Sequence, residues 1–184
     1  MSRPRRTAMA ALALCLGLAP SALPTEEPRP LDEYAVKAAF LYNFAKFVDW
    51  PESVFAAHPD THMFCIYGLD PFGANLDALA GKLVHDRRIA VARLSGPGEL
   101  ARCQLVFLPA AEKGRLAELR AAVAGRPVLL VGEEASFVAR GGMIDFFLQG
   151  GHVRFEIDPK KAAAAGLHVS SKLLGLARIA EGER

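Results

Sequence analysis

The sequence predicts an α/β fold, in which a mostly parallel sheet is flanked by helices on both faces and followed by a C-terminal antiparallel hairpin. Three observations predict it. Short segments that are apolar at nearly every residue indicate strands buried on both faces, as in a parallel sheet. Amphipathic segments of helical length alternate with them. Near the end, two strands of alternating polarity flank Gly150 and Gly151, which predicts a hairpin.

Residues 1–24 have the three-part layout of a secretory signal peptide, which is removed on export. Three arginines precede an apolar run of about eleven residues, and small residues follow it. The run is shorter than the roughly 20 apolar residues that a transmembrane helix needs. An uncleaved anchor is the alternative. Residues 25–31 are then a short leader, and residues 32–184 are predicted to form one domain.

The composition of the predicted mature chain favours a soluble periplasmic protein. The formal net charge of +2 includes the three signal arginines, so the remainder carries about −1. No block of Lys and Arg is interleaved with aromatic residues, which argues against nucleic acid as a partner. No second apolar segment reaches transmembrane length.

Two of the three cysteines, Cys65 and Cys103, lie in the predicted mature chain. An even number of cysteines in an exported protein favours a disulfide. The bridge would close a loop of about 38 residues, and loop-closure entropy alone would then stabilise the fold by about 4 kcal/mol. The alternative is two buried thiols in adjacent strands that never pair.

The first element is an amphipathic helix over residues 32–50. Asp32 can cap its start, and Pro51 ends it because the residue before proline avoids helical dihedrals. On a helical wheel its apolar residues share an arc of about 160°: Tyr34, Val36, Phe40, Leu41, Phe44, Phe47 and Val48. Lys37 lies within that arc and must either extend to solvent or meet an acid. Tyr42 lies on the opposite, exposed face.

The middle of the chain alternates between strands and helices. Strands are predicted at 63–68, 87–94, 103–109 and 127–132. Helical segments are predicted at 70–82, 110–124 and 133–140. In the usual doubly wound strand order, the strands that carry Cys65 and Cys103 are neighbours, which suits the proposed bridge.

The hairpin at 141–158 has one apolar and one mixed face. The apolar face consists of Ile144, Phe146, Leu148, Val153, Phe155 and Ile157. The mixed face consists of Met143, Asp145, Phe147, Gln149, Arg154, Glu156 and Asp158. A short helix follows at 160–165, and Ser170 is predicted to cap a last helix that extends to about Ile179. Its inward residues would be Leu173, Leu176 and Ala177.

Motifs for catalysis are lacking. The sequence has no G-x-S-x-G, no phosphate-binding G-x-x-x-x-G-K-[ST] and no G-x-G-x-x-G. Its five histidines are scattered, without the spacing of a metal site. Ser170 with Lys172 favours a helix cap over a serine–lysine pair, and Asp145 with Glu156 favours a solvated surface over acid–base catalysis. We therefore predict a binding module rather than an enzyme, with no cofactor and no metal.

Two blocks of sequence carry a resemblance to a known family. EYAVKAAFLYNFAKFVDWP at the start and GGMIDFFLQGGHVRFEIDPKKAAAAGLHVSSKLLGLARI at the end resemble the YfiR family of exported bacterial proteins. The resemblance implies an α/β periplasmic regulator, typically a homodimer. Such a regulator binds the periplasmic domain of an inner-membrane diguanylate cyclase and represses it. Cyclic di-GMP and biofilm formation then stay low until an outer-membrane peptidoglycan-binding lipoprotein removes the regulator.

The resemblance also bears on the cysteines. Cys65 and Cys103 fit one family disulfide. A second family bridge, in the C-terminal half, has no counterpart because the sequence has no cysteine after Cys103.

A partner-binding surface should combine an exposed aromatic residue with a polar rim. Phe147, Gln149 and Glu156 on the mixed face are the first candidates, and Tyr42 on the exposed side of the first helix is the second. Alternatively, Phe147 packs under the last helix. Two rival functions remain, namely a periplasmic small-molecule sensor for a histidine kinase or transporter, and a hydrolase on a flavodoxin-like scaffold.

Overall fold

A computed structural model describes residues 30–180 of the chain, and the predicted signal peptide at 1–24 lies outside them. The helices are α1 (Pro30–Phe47), α2 (Ala74–Asp77), α3 (Leu116–Ala122), α4 (Pro159–Ala164) and α5 (Ser171–Leu174). The strands are β1 (Val48–Asp49), β2 (Thr61–Tyr67), β3 (Leu83–Val84), β4 (Arg87–Leu94), β5 (Leu105–Leu108), β6 (Leu129–Gly132), β7 (Ile144–Gln149), β8 (His152–Ile157), β9 (His168–Val169) and β10 (Arg178–Ile179). Short 3-10 helices cover Glu52–Phe55, Pro97–Arg102 and Ala110–Arg115.

The main sheet has eight strands in the order β10-β8-β7-β6-β5-β2-β4-β3. Strands β4, β2, β5, β6 and β7 are mutually parallel. Numbered along the chain, these five strands follow the order 2-1-3-4-5 of flavodoxin-like sheets. The predicted mixed α/β fold with its antiparallel hairpin, β7 and β8, is confirmed. The covering of both sheet faces by helices stays a prediction.

The disulfide between Cys65 and Cys103 is present, as predicted, with a Cα–Cα distance of 6.0 Å. It is possible because β2 pairs with β5, which begins two residues after Cys103. Gln104, only 5% exposed, adds polar links at the same place. Its side-chain oxygen accepts from the Met63 N–H at 2.7 Å, and its carbonyl accepts from the Trp50 indole at 3.1 Å.

Helix α1 differs from the prediction at both ends. It begins at Pro30, inside the predicted leader, so Asp32 does not start it. It ends at Phe47 because Val48 and Asp49 pair with β9 in a separate two-stranded sheet. Lys37 forms ion pairs with two glutamates, which was one of the two alternatives predicted for it. Its Nζ lies 2.5 Å from Glu33 and 2.6 Å from Glu133.

The helix predicted at 133–140 is wrong; this segment is a series of turns. Phe137 is buried against Gly132 and Gly142, and a Cβ at either glycine would collide with its ring. Ser136 has a left-handed φ of 72°, which a helix excludes. Burial of one aromatic ring beneath the sheet therefore overrides the local helical preference.

The last helix is much shorter than predicted. The Ser170 cap is confirmed, since its Oγ accepts from the Lys172 N–H at 3.2 Å, but α5 ends at Leu174. Arg178 and Ile179 are extended and pair with β8. Leu176, predicted to face inward, is 69% exposed, and Val36 of α1 is likewise exposed rather than buried. None of the helices within residues 30–180 is long and apolar enough to cross a membrane.

Candidate partner-binding face

The mixed face carries a row of three charged side chains across three neighbouring strands. Asp145 of β7 pairs with Glu156 of β8, and Glu156 pairs with Arg178 of β10. The guanidinium of Arg178 donates two hydrogen bonds to Glu156 Oε2, at 2.9 and 2.7 Å. Because 58% of the Arg178 side chain is exposed, the ion pair contributes about 1 kcal/mol or less. It orients the guanidinium more than it stabilises the fold.

Phe147 lies directly under this guanidinium. Arg178 Cζ is 3.9 Å from the centroid of the ring, which is cation–π geometry. The ring is half-buried, and its cross-strand neighbour is Arg154. One alternative from the sequence was that Phe147 packs under a last helix. In the structure strand β10 covers Phe147 instead. Phe147 thus forms an aromatic surface with arginines and a carboxylate at its rim.

Asp145 was expected at a solvated surface, but it is only 3% exposed. Its Oδ1 has no hydrogen-bond partner among the described residues. Burial, followed by the nearby charges of Glu156 and Glu134, raises the pKa of Asp145 to about 7, and Arg178 opposes this shift. The row therefore contains a buried carboxyl group that is half-protonated near neutral pH.

The apolar face of the hairpin holds this surface against α1. Phe44 stacks on Phe146 at 5.5 Å between ring centroids and meets Phe155 edge-on at 4.9 Å. Phe40 lies 5.4 Å from Phe155. Because successive strand residues point to opposite faces, burial of these rings fixes which side chains the mixed face presents.

The predicted site residues divide into two groups. Phe147, Glu156 and the exposed Gln149 share the mixed face. Tyr42 does not join them, because its hydroxyl donates to the carbonyl of Leu83 at 3.2 Å, at the far edge of the sheet. The two candidate surfaces predicted from the sequence are therefore separate.

Arg178 is the functional candidate that sequence reasoning missed. The spacing of Leu173, Leu176 and Ala177 predicts a helix that would carry Arg178 to solvent. A strand of two residues is too short to show the alternation that identifies strands. The remaining signal is Gly175, which follows the last helical residue and is a residue of low helix propensity.

The carboxyl ends of β2 and β5 mark the topological switch point, where doubly wound sheets commonly bind ligands. Here the chain packs its own side chains at that end. Glu112 lies over Gly68, and its Oε1 accepts from the Leu69 N–H at 3.2 Å. Tyr34 of α1 meets Phe72 edge-on at 5.3 Å. The protein's own side chains therefore occupy this end of the sheet, whereas the mixed face presents polar and aromatic side chains to solvent.

A separate cleft of about 200 Å³ is lined by the Trp50 and His62 side chains. His62 is 1% exposed, and its Nε2 has no hydrogen-bond partner within residues 30–180. Burial, then the charges of His85 and Arg87, lowers the pKa of His62 to about 3, so the imidazole is neutral. The described part of the chain contains no group of three or more His, Cys, Asp or Glu that could hold a metal ion.

A family model described as DUF4154, YfiR/HmsC-like, matches residues 34–178. The match covers all of the sheet except Ile179 and therefore includes the whole mixed face. No curated protein matches the chain.

Proposed function

The chain belongs to the YfiR/HmsC-like family, and on that premise we propose that it is a periplasmic regulator that represses an inner-membrane diguanylate cyclase. In this role it binds the periplasmic domain of the cyclase and keeps cyclic di-GMP and biofilm formation low. An outer-membrane peptidoglycan-binding lipoprotein would relieve the repression, and the regulator would act as a homodimer. The role is regulatory binding without catalysis or cofactor.

The observation that carries the proposal is the composition of the mixed face. Phe147 offers an aromatic surface, and Glu156, Gln149 and Arg178 surround it with polar groups. Protein-binding surfaces combine such an aromatic anchor with a polar rim. The stacked phenylalanines beneath the hairpin support this surface from the core side.

Repression requires the regulator to distinguish two states of the cyclase. A ligand shifts an equilibrium only by its difference in affinity for the two states. To reverse a 99:1 preference for the active state, the regulator must favour the inactive state by about 5.5 kcal/mol. Phe147 supplies part of this difference if its contacts form only with the inactive state, because aromatic anchors commonly contribute about 2 kcal/mol or more.

Deletion of the gene in its native host tests the proposal, with cyclic di-GMP as the measured quantity. We expect the level to rise and the intact gene to restore it. Complementation with Phe147→Glu should fail, whereas Leu69→Glu, at an exposed leucine three strands away, should restore repression. An unchanged level on deletion would contradict the repressor function. Full repression by Phe147→Glu would contradict the choice of surface alone.

The cleft at Trp50 and His62 favours a second candidate, a small-molecule sensor for a histidine kinase or transporter. Its floor is an unpaired, neutral imidazole beside aromatic rings, and Arg87 lies at its rim. A thermal-shift screen of small metabolites tests this function. A hit that raises the melting temperature of the wild type, but not that of His62→Leu, would support it.

A further inference from the structure

Residues 176–180, which we call the clasp, cover part of the mixed face through few contacts. Pairing with β8 is limited to Arg178 and Ile179, with one more hydrogen bond from the Ala180 N–H to the Ile157 carbonyl at 2.9 Å. Two large apolar side chains of the clasp are turned to solvent, Leu176 at 69% and Ile179 at 46% exposed. Segments with few buried apolar contacts open at low free-energy cost.

The clasp nevertheless shows which chemistry fits the surface beneath it. A guanidinium stacks on Phe147 and donates two hydrogen bonds to Glu156. An extended backbone lies parallel to β8, along the edge of the sheet. Lysine cannot reproduce this arrangement, because its ammonium has no planar face to stack and no pair of adjacent N–H donors.

Removal of the clasp would leave an acidic surface. Glu156 would lose the guanidinium with which it pairs, and its cross-strand partner on the same face, Asp145, is a second carboxyl group. Arg178 of β10 supplies the compensating positive charge, and Arg154 lies two register pairs further along the hairpin, opposite Phe147. The uncovered surface therefore favours a cation, and the uncovered β8 edge offers backbone groups that an added strand can pair with.

We propose that the partner docks by displacing the clasp, inserting an extended segment whose arginine takes the place of Arg178 on Phe147 and Glu156. The segment adds as a strand to β8, a common mode of peptide recognition. This inference rests on the proposed function for the identity of the partner, but its chemistry rests on the contacts of Arg178 alone. The clasp then acts as an internal competitor that sets the affinity for the partner.

A peptide assay tests the displacement without the cyclase. The probe is a fluorescent peptide of residues 175–184, GLARIAEGER, and the receptor is the protein with a stop codon after Ala177. We expect fluorescence polarisation to show saturable binding to the truncated protein and at least tenfold weaker binding to the full chain. A peptide with Arg178→Glu should not bind, and one with Arg178→Lys should bind more weakly. No binding to a truncated protein that retains its circular dichroism, or equal binding of the Arg178→Glu peptide, would overturn the proposal.

A crosslinked full chain tests the same step in the cell. Ile157 and Ile179 are register partners in β8 and β10, so a double cysteine variant should lock the clasp shut. We expect the locked protein to lose repression of cyclic di-GMP, while the single Ile179→Cys variant retains it. Full repression by the locked protein would overturn the displacement. If the peptide binds but gene deletion leaves cyclic di-GMP unchanged, the proposed repressor function is contradicted, whereas the proposed displacement of the clasp by an arginine-bearing segment is supported.

Discussion

The parallel half of the sheet and the hairpin half are built on different principles. Strands β5 and β6 are buried at every residue, and the disulfide and Gln104 tie β5 to β2. Strands β7, β8 and β10 are only partly buried, and charged side chains on neighbouring strands lie beside one another. The contrast shows how one sheet can combine a fixed scaffold with an adjustable surface.

Loss of the disulfide should give the largest effect, and it should fall on the parallel half. Replacing Cys65 and Cys103 by alanine frees a loop of 38 residues, which should lower the free energy of unfolding by about 4 kcal/mol. Urea denaturation followed by circular dichroism measures this. A reducing agent should bring the wild type down to the variant and leave the variant unchanged. A loss below about 1 kcal/mol would contradict the view of this half as a covalently fixed scaffold.

Asp145→Asn should give the next largest effect, in the hairpin half. The folded protein raises the pKa of Asp145 from 3.8 to about 7, so this carboxyl contributes stability below pH 4 that is lost as pH rises through 7. At about 1.4 kcal/mol per pKa unit, the variant should gain somewhat under about 4 kcal/mol over the wild type between pH 4 and 8. Denaturant midpoints across this range test it, with Asp49→Asn at an exposed position as the control.

His62→Leu should show the opposite pH dependence, in the parallel half. The pKa of His62 falls from 6.5 to about 3 on folding, so its contribution is present above pH 6.5 and is lost as pH falls toward 3. From pH 7 to pH 5 the wild type should lose about 2 kcal/mol relative to the variant. His58→Leu, at an exposed position, serves as control. If the difference in stability between His62→Leu and the wild type does not change with pH, the two halves do not have opposite pH dependences.

Arg178→Ala should have the smallest effect on stability, about 1 kcal/mol or less, because the ion pair it removes is largely exposed. Chemical denaturation measures the change, and Arg154→Ala is the matched control on the same face. A loss above about 3 kcal/mol would mean that β10 is part of the scaffold rather than a light cover.

The sequence predicts the scaffold better than the surface. The strands around Cys65 and Cys103 and the paired arms of the hairpin were predicted because their own apolar patterns require burial. The strand at Arg178 and the turns around Phe137 were missed, since each depends on contacts with residues distant in sequence. Phe147 and Glu156 could be named from alternation alone, but their arginine partner could not.

Because of the position of Trp50, tryptophan fluorescence reports on only one half of the molecule. Trp50 is the single tryptophan of the sequence, and its ring meets His62 edge-on at 4.7 Å between centroids. Intrinsic tryptophan emission therefore arises wholly from the parallel half. A spectral change on unfolding or acidification reports that half, whereas events at the hairpin need an introduced fluorophore to be seen.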